Sequence, residues 1–305
     1  MLTRRRLLAG TAAGAGLWIA CQTRRAATDR DIVRLVDAAP GRDGAGVALR
    51  RALGGRALSV LDPFLLLDEI HSADPADYQA GFPEHPHRGF ETVSYVLRGG
   101  FAHADSVGNR GLIADGGAQW MTAGKGIVHS EMPRATATAE LWGLQLWVNL
   151  PAARKLIRPR YQDLGPAAIP TAMVGDASVR VIAGEVGGRR GPVDGIDVAP
   201  TMLDATIAAG AELRHRLPGG DTAFLYVLDG ELAIGPRATV ARAGQLAVLA
   251  PGTDVVVASS GGGRALLLAA APIGEPVARR GPFVMNSEAE LDQAVADYRA
   301  GRLTV

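Results

Sequence analysis

The chain has 305 residues, of which 48% are hydrophobic, and it carries 32 basic and 31 acidic side chains. This length accommodates two ordinary domains with a substantial core, and nothing in the composition indicates disorder. The net charge of +1 provides no basic domain, which excludes a protein that binds nucleic acid through a positively charged surface.

The N-terminus has the features of an export signal. Arg4, Arg5 and Arg6 precede a mildly apolar stretch from Leu7 to Ala20, which is too short to span a bilayer but typical of a signal peptide. Paired arginines followed by two leucines resemble a twin-arginine signal, the mark of a bacterial export substrate. We therefore predict a signal peptide over residues 1–30. The protein is then expected in the periplasm or anchored on the outer face of the inner membrane.

Cys21 is the only cysteine, so the chain forms no internal disulfide. It follows Leu17-Trp18-Ile19-Ala20, and a cysteine at that place resembles a lipoprotein cleavage site, which makes Cys21 a candidate lipidation site. Trp18 stands where such sites usually carry leucine, so simple cleavage and an incidental thiol remain alternatives. A lipid anchor at Cys21 is the only membrane contact that we predict.

From Asp31 onward the sequence consists of short apolar runs separated by glycine and proline, which indicates many short strands. The run Phe90–Leu97 is rich in β-branched and aromatic residues and ends at a glycine turn, Gly99-Gly100. Such a pattern is typical of a sandwich or a closed barrel. The other strands predicted in this half are Gly111–Ile113, Gln119–Thr122, Gly126–His129 and Leu141–Val148.

The second half repeats this pattern after a proline-rich connection from Pro151 to Pro170. Tyr95-Val96-Leu97-Arg98-Gly99-Gly100 in the first half parallels Tyr226-Val227-Leu228-Asp229-Gly230-Glu231 in the second, so we predict two barrels of one design. The predicted strands are Val179–Ala183, Met202–Ile207, Thr222–Val227, Glu231–Ile234, Gln245–Leu249 and Ala265–Ala270. One C-terminal helix is predicted, because Ser287 and Glu290 form a capping box before residues at helical spacing.

Two short patterns in the first half point to a metal site. His85-Pro86-His87 is a His-x-His, and His129-Ser130-Glu131 is a His-x-Glu. Residues i and i+2 of a strand lie on one face, so each pattern directs two ligands to the same side of a sheet. Two such pairs on neighbouring strands converge on one ion. Three imidazoles and a carboxylate suit iron, copper, nickel, zinc or manganese more than calcium or magnesium.

Several longer motifs surround and follow these two patterns. The first is Phe82-Pro83-Glu84-His85-Pro86-His87-Arg88-Gly89-Phe90-Glu91-Thr92-Val93, which contains the first ligand pair. Others are Gln119-Trp120-Met121-Thr122-Ala123-Gly124, Gly126-Ile127-Val128-His129-Ser130-Glu131, Gln145-Leu146-Trp147-Val148-Asn149-Leu150-Pro151 and Gly281-Pro282-Phe283-Val284-Met285-Asn286. These motifs resemble those of the pirins, a branch of the cupin superfamily, and the resemblance covers nearly everything after residue 31.

The resemblance implies an all-β fold of two tandem cupin domains, each a jelly-roll β-barrel, with a short C-terminal helix. The expected domains are 31–158, which carries the metal site, and 159–305, which carries no metal and ends in the helix. The family's four metal ligands correspond to His85, His87, His129 and Glu131. One divalent transition metal is implied, with Fe(II) as the first expectation and copper, nickel, manganese or zinc as alternatives.

Some bacterial pirins are flavonol dioxygenases, so the resemblance implies a ring-opening reaction on a flavonol such as quercetin, with Glu131 as the general base. The partners would be a small aromatic substrate and dioxygen, and the protein is expected to be a monomer. The alternative hypothesis is a non-catalytic metal-binding redox sensor or protein-interaction module. A pocket beside the metal that is open and lined with apolar residues would favour catalysis, whereas a closed pocket would favour the sensor.

Overall fold

The computed structural model describes residues 28–134 and 139–304. The predicted signal peptide, including Arg5, Arg6 and Cys21, lies almost entirely outside the described residues, and the predictions made for it stay predictions. No helix in the described part of the chain is both long enough and apolar enough to cross a membrane.

Eleven strands form two sheets that enclose a first barrel. A seven-stranded sheet has the order β12-β9-β6-β11-β4-β3-β2, and a four-stranded sheet has the order β5-β10-β7-β8. Their bounds are β2 Ala39–Asp43, β3 Val47–Leu53, β4 Phe64–Ser72, β5 Phe82–His87, β6 Phe90–Arg98, β7 Gly100–Asp105, β8 Arg110–Ala114, β9 Ala118–Thr122, β10 Ile127–Pro133, β11 Leu141–Asn149 and β12 Arg160–Leu164.

A ten-stranded sheet forms the second barrel, and two short ribbons complete the described strands. The long path of this sheet is β1-β21-β19-β23-β17-β14-β13, with β18, β20 and β22 beside it. The bounds are β1 Ile32–Asp37, β13 Thr171–Val174, β14 Ala177–Ala183, β15 Glu185–Val186, β16 Arg189–Arg190, β17 Thr201–Ile207, β18 Glu212–Arg216, β19 Thr222–Ile234, β20 Thr239–Arg242, β21 Gln245–Leu249, β22 Asp254–Ala258, β23 Gly263–Ala270, β24 Ala278–Arg280 and β25 Phe283–Met285.

The two barrels pack against each other through one face of each large sheet. In β6, Val93, Tyr95 and Leu97 join a shared core that also contains Phe224 and Tyr226 of the second barrel. The intervening positions of β6 point into the first barrel, because successive residues of a strand face opposite sides. Both faces of β6 are therefore covered, which explains why nearly all of its residues are buried.

The prediction of two tandem barrels with one C-terminal helix is confirmed. The helix α1 spans Glu288–Arg299. The backbone N–H of Glu290 donates to Ser287 Oγ at 3.4 Å, which is one half of a capping box; the Glu290 carboxylate accepts from the backbone N–H of Asn286, the residue before the N-cap, at 3.0 Å.

One predicted turn is wrong. Thr222–Val227 and Glu231–Ile234 were expected as separate strands joined at Gly230, but β19 is continuous from Thr222 to Ile234. The pairing with β23 shifts between Val227 and Asp229, and Gly230 has a φ of 71°. A glycine in this conformation allows a bulge, which bends the strand without ending it.

The two ends of the described chain are exchanged between the barrels. β1 precedes the first barrel in sequence but pairs with β21 of the second. In return, β25 and α1 follow the second barrel but pack on the first, where Val284 N donates to Arg88 O at 3.0 Å. No single cut in the sequence separates the two sheets, although the domain boundary at residue 158 stays a prediction.

Candidate metal centre

His85, His87 and His129 form a cluster in the first barrel, and one ligand atom from each lies within 4.8 Å of the others. β10 pairs with β5 so that His129 lies opposite His85 and Ile127 lies opposite His87. The i, i+2 spacing of His85 and His87 gives their side chains the same face, and the antiparallel register adds His129. Ring centroids are 4.7 Å apart for His85 and His87 and 4.4 Å apart for His85 and His129.

His87 and His129 are held as neutral imidazoles. They are 3% and 1% exposed, and burial lowers the pKa of His129 to about 4 and the pKa of His87 well below its usual value. Among the described residues, Nδ1 of His87 and both ring nitrogens of His129 have no hydrogen-bond partner. Buried imidazole nitrogens without partners are costly unless a ligand occupies them, so the donor set fits a transition-metal ion.

The third histidine is oriented by the backbone. His85 Nδ1 lies 2.8 Å from the carbonyl oxygen of Pro83, which can only accept a hydrogen bond. Nδ1 therefore carries a proton, which leaves Nε2 as the ring nitrogen that can bind a metal. Backbone or carboxylate partners of this kind commonly fix the ring orientation of metal-ligating histidines.

Glu131, the fourth predicted ligand, lies outside this group of three. The pairing of β10 with β5 shifts between His129 and Glu131, so that Glu131 lies opposite Phe82 and not opposite Pro83. Ser94 Oγ donates to Glu131 Oε1 at 2.6 Å, and Gln145 Nε2 donates to Oε2 at 2.8 Å. These bonds tie the carboxylate to the seven-stranded sheet. The structure thus brings together three of the four predicted ligands, and the role of Glu131 as ligand and base stays a prediction.

Ser94 and Gln145 belong to a row of polar side chains that the sequence analysis missed. Neighbouring strands of the seven-stranded sheet place these residues directly opposite one another: Arg51, Asp68, Gln145, Ser94, Gln119 and Asp163. Asp68, Ser94 and Gln145 each interrupt a largely apolar strand, and that interruption is a signal in the sequence for the central part of this row. The row supplies hydrogen-bond partners inside the barrel, and Glu131 accepts hydrogen bonds from its two central residues, Ser94 and Gln145.

A cavity of about 610 Å³ opens beside the histidines. His85, His87 and Glu131 line it together with an apolar wall. The apolar side chains of that wall are Leu49, Leu66, Ile70, Phe82 and Trp147. Pockets of roughly 300–1,000 Å³ with mostly apolar linings and a few polar groups are typical of small-molecule sites.

Trp147 links the histidines to the chain's C-terminal segment. Trp120 and Met121 lie in the barrel core, at 1% and 0% exposed, whereas Trp147 is half-buried and lines the cavity. The Trp147 ring lies 5.4 Å from the His87 ring on one side, and the Arg279 guanidinium lies 4.5 Å from its centroid.

The loop that follows His87 is clamped by residues distant in sequence. Arg88 Nη1 donates to Asp297 of α1 at 2.8 Å. Lys155 Nζ, only 1% exposed, donates to the carbonyl oxygens of Gly89 and Val284 at 2.8 and 3.0 Å. Burial lowers the pKa of Lys155 to about 8. These contacts hold the end of β5 between the first barrel and the C-terminal segment.

The interior of the second barrel differs from that of the first. Its described core consists of apolar side chains contributed by most of the strands of its sheet, including Leu213, Leu232, Val255 and Val257. His215 lies on β18 and is half-buried. In the described residues, the histidine cluster of the first barrel is the only grouping of three or more potential metal-ligating side chains.

Comparison with known proteins agrees with this architecture. The family model "Pirin" matches residues 46–148, and the model "Pirin C-terminal cupin domain" matches residues 202–304. A Pseudomonas aeruginosa protein named "Putative quercetin 2,3-dioxygenase" is 45% identical over 282 residues, covering 90% of this chain and 99% of that protein. A "Pirin-like protein" of Solanum lycopersicum is 46% identical over 277 residues, covering 90% and 92% of the two chains.

A solved structure matches over the same range. The crystal structure of quercetin 2,3-dioxygenase from Acinetobacter baumannii superposes with a TM-score of 0.83 at 30% identity, covering 90% of this chain and 99% of that one. Two jelly-roll barrels with a histidine cluster in the first define a bicupin. Within that class, the family models and the relatives show that the chain belongs to the pirin family.

Proposed function

We propose that the protein is a metal-dependent dioxygenase that opens the ring of a flavonol such as quercetin. The observation that carries the proposal is that His85 and His87 line the 610 Å³ cavity, so a ligand there lies against the candidate metal ligands. The names of the Pseudomonas and Acinetobacter relatives support the same reaction.

His85, His87 and His129 would hold the metal, and we propose Fe(II), with copper, nickel, manganese and zinc as alternatives. A bound divalent ion would supply Lewis-acid chemistry that lowers the pKa of the substrate's 3-hydroxyl group. The apolar wall of the cavity binds the aromatic rings and excludes water from them. Glu131 lines the same cavity and is the carboxylate that we assign to accept the hydroxyl proton.

The overall reaction is balanced without another co-reactant. Both atoms of dioxygen enter the products, two carbon–carbon bonds of the flavonol's central ring break, and one ring carbon leaves as carbon monoxide. The remaining product is a depside, in which the carboxyl group of one phenolic acid is esterified with a hydroxyl group of another. The non-catalytic sensor needs no cavity for an aromatic molecule, so the cavity beside His87 favours catalysis over that alternative.

The test begins with elemental analysis of protein purified without an affinity-tag metal, followed by an oxygen-electrode assay with quercetin. We expect close to one metal ion per chain, together with oxygen uptake and loss of the flavonol absorbance. His129→Ala should lose both metal and uptake, whereas His215→Ala, in the second barrel, should keep both. Metal without uptake contradicts the dioxygenase, and absence of metal contradicts the site.

Glu131→Gln separates the two roles proposed for Glu131. If the carboxylate is the base, the variant keeps its metal and loses turnover. If it is also a required ligand, the metal content falls as well. Full metal content with unchanged turnover would show that Glu131 has neither role.

Export and lipidation are proposed from the N-terminal sequence alone. In a bacterial host, fractionation of the full-length chain should find it outside the cytoplasm, and replacing Arg5 and Arg6 with lysine should retain it inside. A Cys21→Ser variant should lose membrane association if Cys21 is acylated, and an unchanged distribution would contradict the anchor.

A further inference from the structure

Arg279 differs in its pairing from the other arginine of the cavity. Arg51 also lines the cavity, but its guanidinium donates to both oxygens of Asp68 at 2.8 and 2.6 Å and to Asp43 at 2.8 Å. Arg279 has no carboxylate oxygen of a described residue within 4.0 Å. Its intramolecular bonds are two long ones of 3.4 Å, to the carbonyl oxygens of Gly281 and Leu65.

Several donors of the Arg279 guanidinium are thus free within the described residues, since neither of those two bonds uses Nη2. Burial and the neighbouring positive charge of Arg51 lower the pKa of Arg279, although Asp68 and Asp43 oppose the shift. An arginine stays protonated in proteins, and Arg279 is an exposed residue, so the cavity presents a cation with free donors to a ligand that enters from solvent. A bound anion would satisfy it.

The position of Arg279 determines which part of a ligand it reaches. The guanidinium lies over the face of Trp147, at 4.5 Å from the ring centroid, and the centroid of the His87 ring lies 5.4 Å from that of the same Trp147 ring. An aromatic molecule against the apolar wall can therefore approach the histidines with one end and Arg279 with the other. The planar fork of arginine matches the two oxygens of a carboxylate.

We propose that Arg279 is a specificity-determining residue of this cavity and that the cavity selects aromatic ligands bearing a carboxylate distant from the metal-binding end. The inference deepens the proposed function and rests on it for the identity of the metal-binding end. Arg279 enters the site from β24, so the segment that follows the second barrel supplies the selectivity of the first.

The probes are 3-hydroxyflavone-4′-carboxylate and its 4′-carboxamide, which differ in charge at nearly equal size. Calorimetry on metal-loaded protein without dioxygen measures their dissociation constants independently of turnover. We expect the wild type to bind the carboxylate about tenfold or more tightly than the amide, because hydrogen bonds to charged groups are the strong ones. Arg279→Gln should abolish this preference, and Arg279→Lys should restore part of it.

Arg280→Gln is the matched control. Arg280 neighbours Arg279 on the same strand, but it pairs with Asp292 and Glu288 of α1, each at 2.6 Å. The Arg280→Gln substitution removes one positive charge near the cavity but changes no side chain that lines the cavity, so the tenfold preference should persist. Equal binding of the two probes by the wild type, a preference that survives Arg279→Gln, or no binding of either probe would each overturn the inference.

Two separate measurements distinguish failure of the Arg279 selectivity from failure of the proposed dioxygenase activity. An oxygen-electrode assay on the same two probes reports turnover separately. If neither probe is oxidised but the wild type prefers the carboxylate and Arg279→Gln does not, the dioxygenase is contradicted and the selectivity of Arg279 is supported. If both probes are oxidised without any preference in binding, the selectivity is contradicted and the dioxygenase is supported.

Discussion

The hydroxyl group of Tyr95 in the first barrel donates a hydrogen bond of 2.5 Å to Asp204 in the second. The equivalent tyrosine of the internal repeat, Tyr226 of the second barrel, makes the reciprocal contact and donates a hydrogen bond to Glu69 of the first barrel at 2.7 Å. Burial raises the pKa of both hydroxyls, so both remain protonated donors at neutral pH. The duplicated motif therefore fixes the two barrels to each other through reciprocal bonds.

We predict that Tyr95→Phe destabilises the protein. The substitution removes one donor from the buried Asp204 carboxylate, which keeps its bonds to Arg264 at 2.8 and 2.6 Å. A hydrogen bond to a charged group contributes about 1.5–3 kcal/mol, so the free energy of unfolding should fall by that order. Denaturant unfolding measures it. Tyr298→Phe, on the 42% exposed Tyr298 of α1, is the control and should change stability by less than about 0.5 kcal/mol. An unchanged Tyr95→Phe protein would contradict the interface role.

Glu91 should make stability depend on pH. Its carboxylate accepts from Thr122 Oγ1 at 2.6 Å and Trp120 Nε1 at 3.1 Å, yet burial raises its pKa from the ordinary 4.5 to about 7. The folded chain thus binds this proton more tightly than the unfolded chain. The stabilisation is complete below pH 4.5 and is lost as the pH rises through 7, by on the order of 3 kcal/mol.

Glu91→Gln should remove this dependence. Relative to the wild type, the variant should gain stability between pH 5 and pH 8.5, measured by urea unfolding at equal metal content. Glu231→Gln, at an exposed position paired with Arg242, should show no such gain. If the free energies of unfolding of the wild type and Glu91→Gln differed by the same amount at pH 5 and pH 8.5, the pH dependence could not be assigned to Glu91.

Gly89 should not tolerate a side chain. Its φ is 87°, and a Cβ atom there would lie 2.0 Å from the carbonyl oxygen of Val284. Gly89→Ala should therefore push β25 away from the end of β5, costing more than about 3 kcal/mol and weakening metal binding at nearby His87. Gly108→Ala is matched in conformation, with a φ of 95° but nothing within 4 Å of the added Cβ. It should cost only about 1–2 kcal/mol of backbone strain. Similar losses in the two variants, by thermal unfolding, would contradict the clamp.

Gln145 should matter for function more than for folding. Gln145→Leu leaves Glu131 with Ser94 as its remaining hydrogen-bond donor among the described residues. Residues that orient the groups around a metal typically contribute about 10–100-fold to activity or metal affinity, and we expect a loss of that order. Turnover and metal content are measured together. Gln162→Leu, whose side chain bonds to Asp194 away from the cavity, should retain both, and a fully active Gln145→Leu would exclude this role.

Much of the fold follows from local patterns. Apolar runs with glycine turns predicted strands that the structure contains, such as β6 and β11, and the capping pair Ser287 and Glu290 predicted α1. The continuous β19 was missed, because Gly230 supports a turn and a bulge equally well in sequence. The choice between them depends on pairing with β23, and every residue of β23 that pairs with β19 lies more than thirty residues further along the chain than its partner.

The sequence by itself determined the two barrels and the three histidines, because a strand's period of two places His85 and His87 on one face wherever the strand lies. Tertiary structure decided the rest of the site. Glu131 follows a register shift in β10 and bonds to Ser94 and Gln145, and Arg279 reaches the cavity because the C-terminal segment crosses back to the first barrel. The physical reason is that strand periodicity is local, whereas register and exchange arise from pairing between segments far apart in the chain.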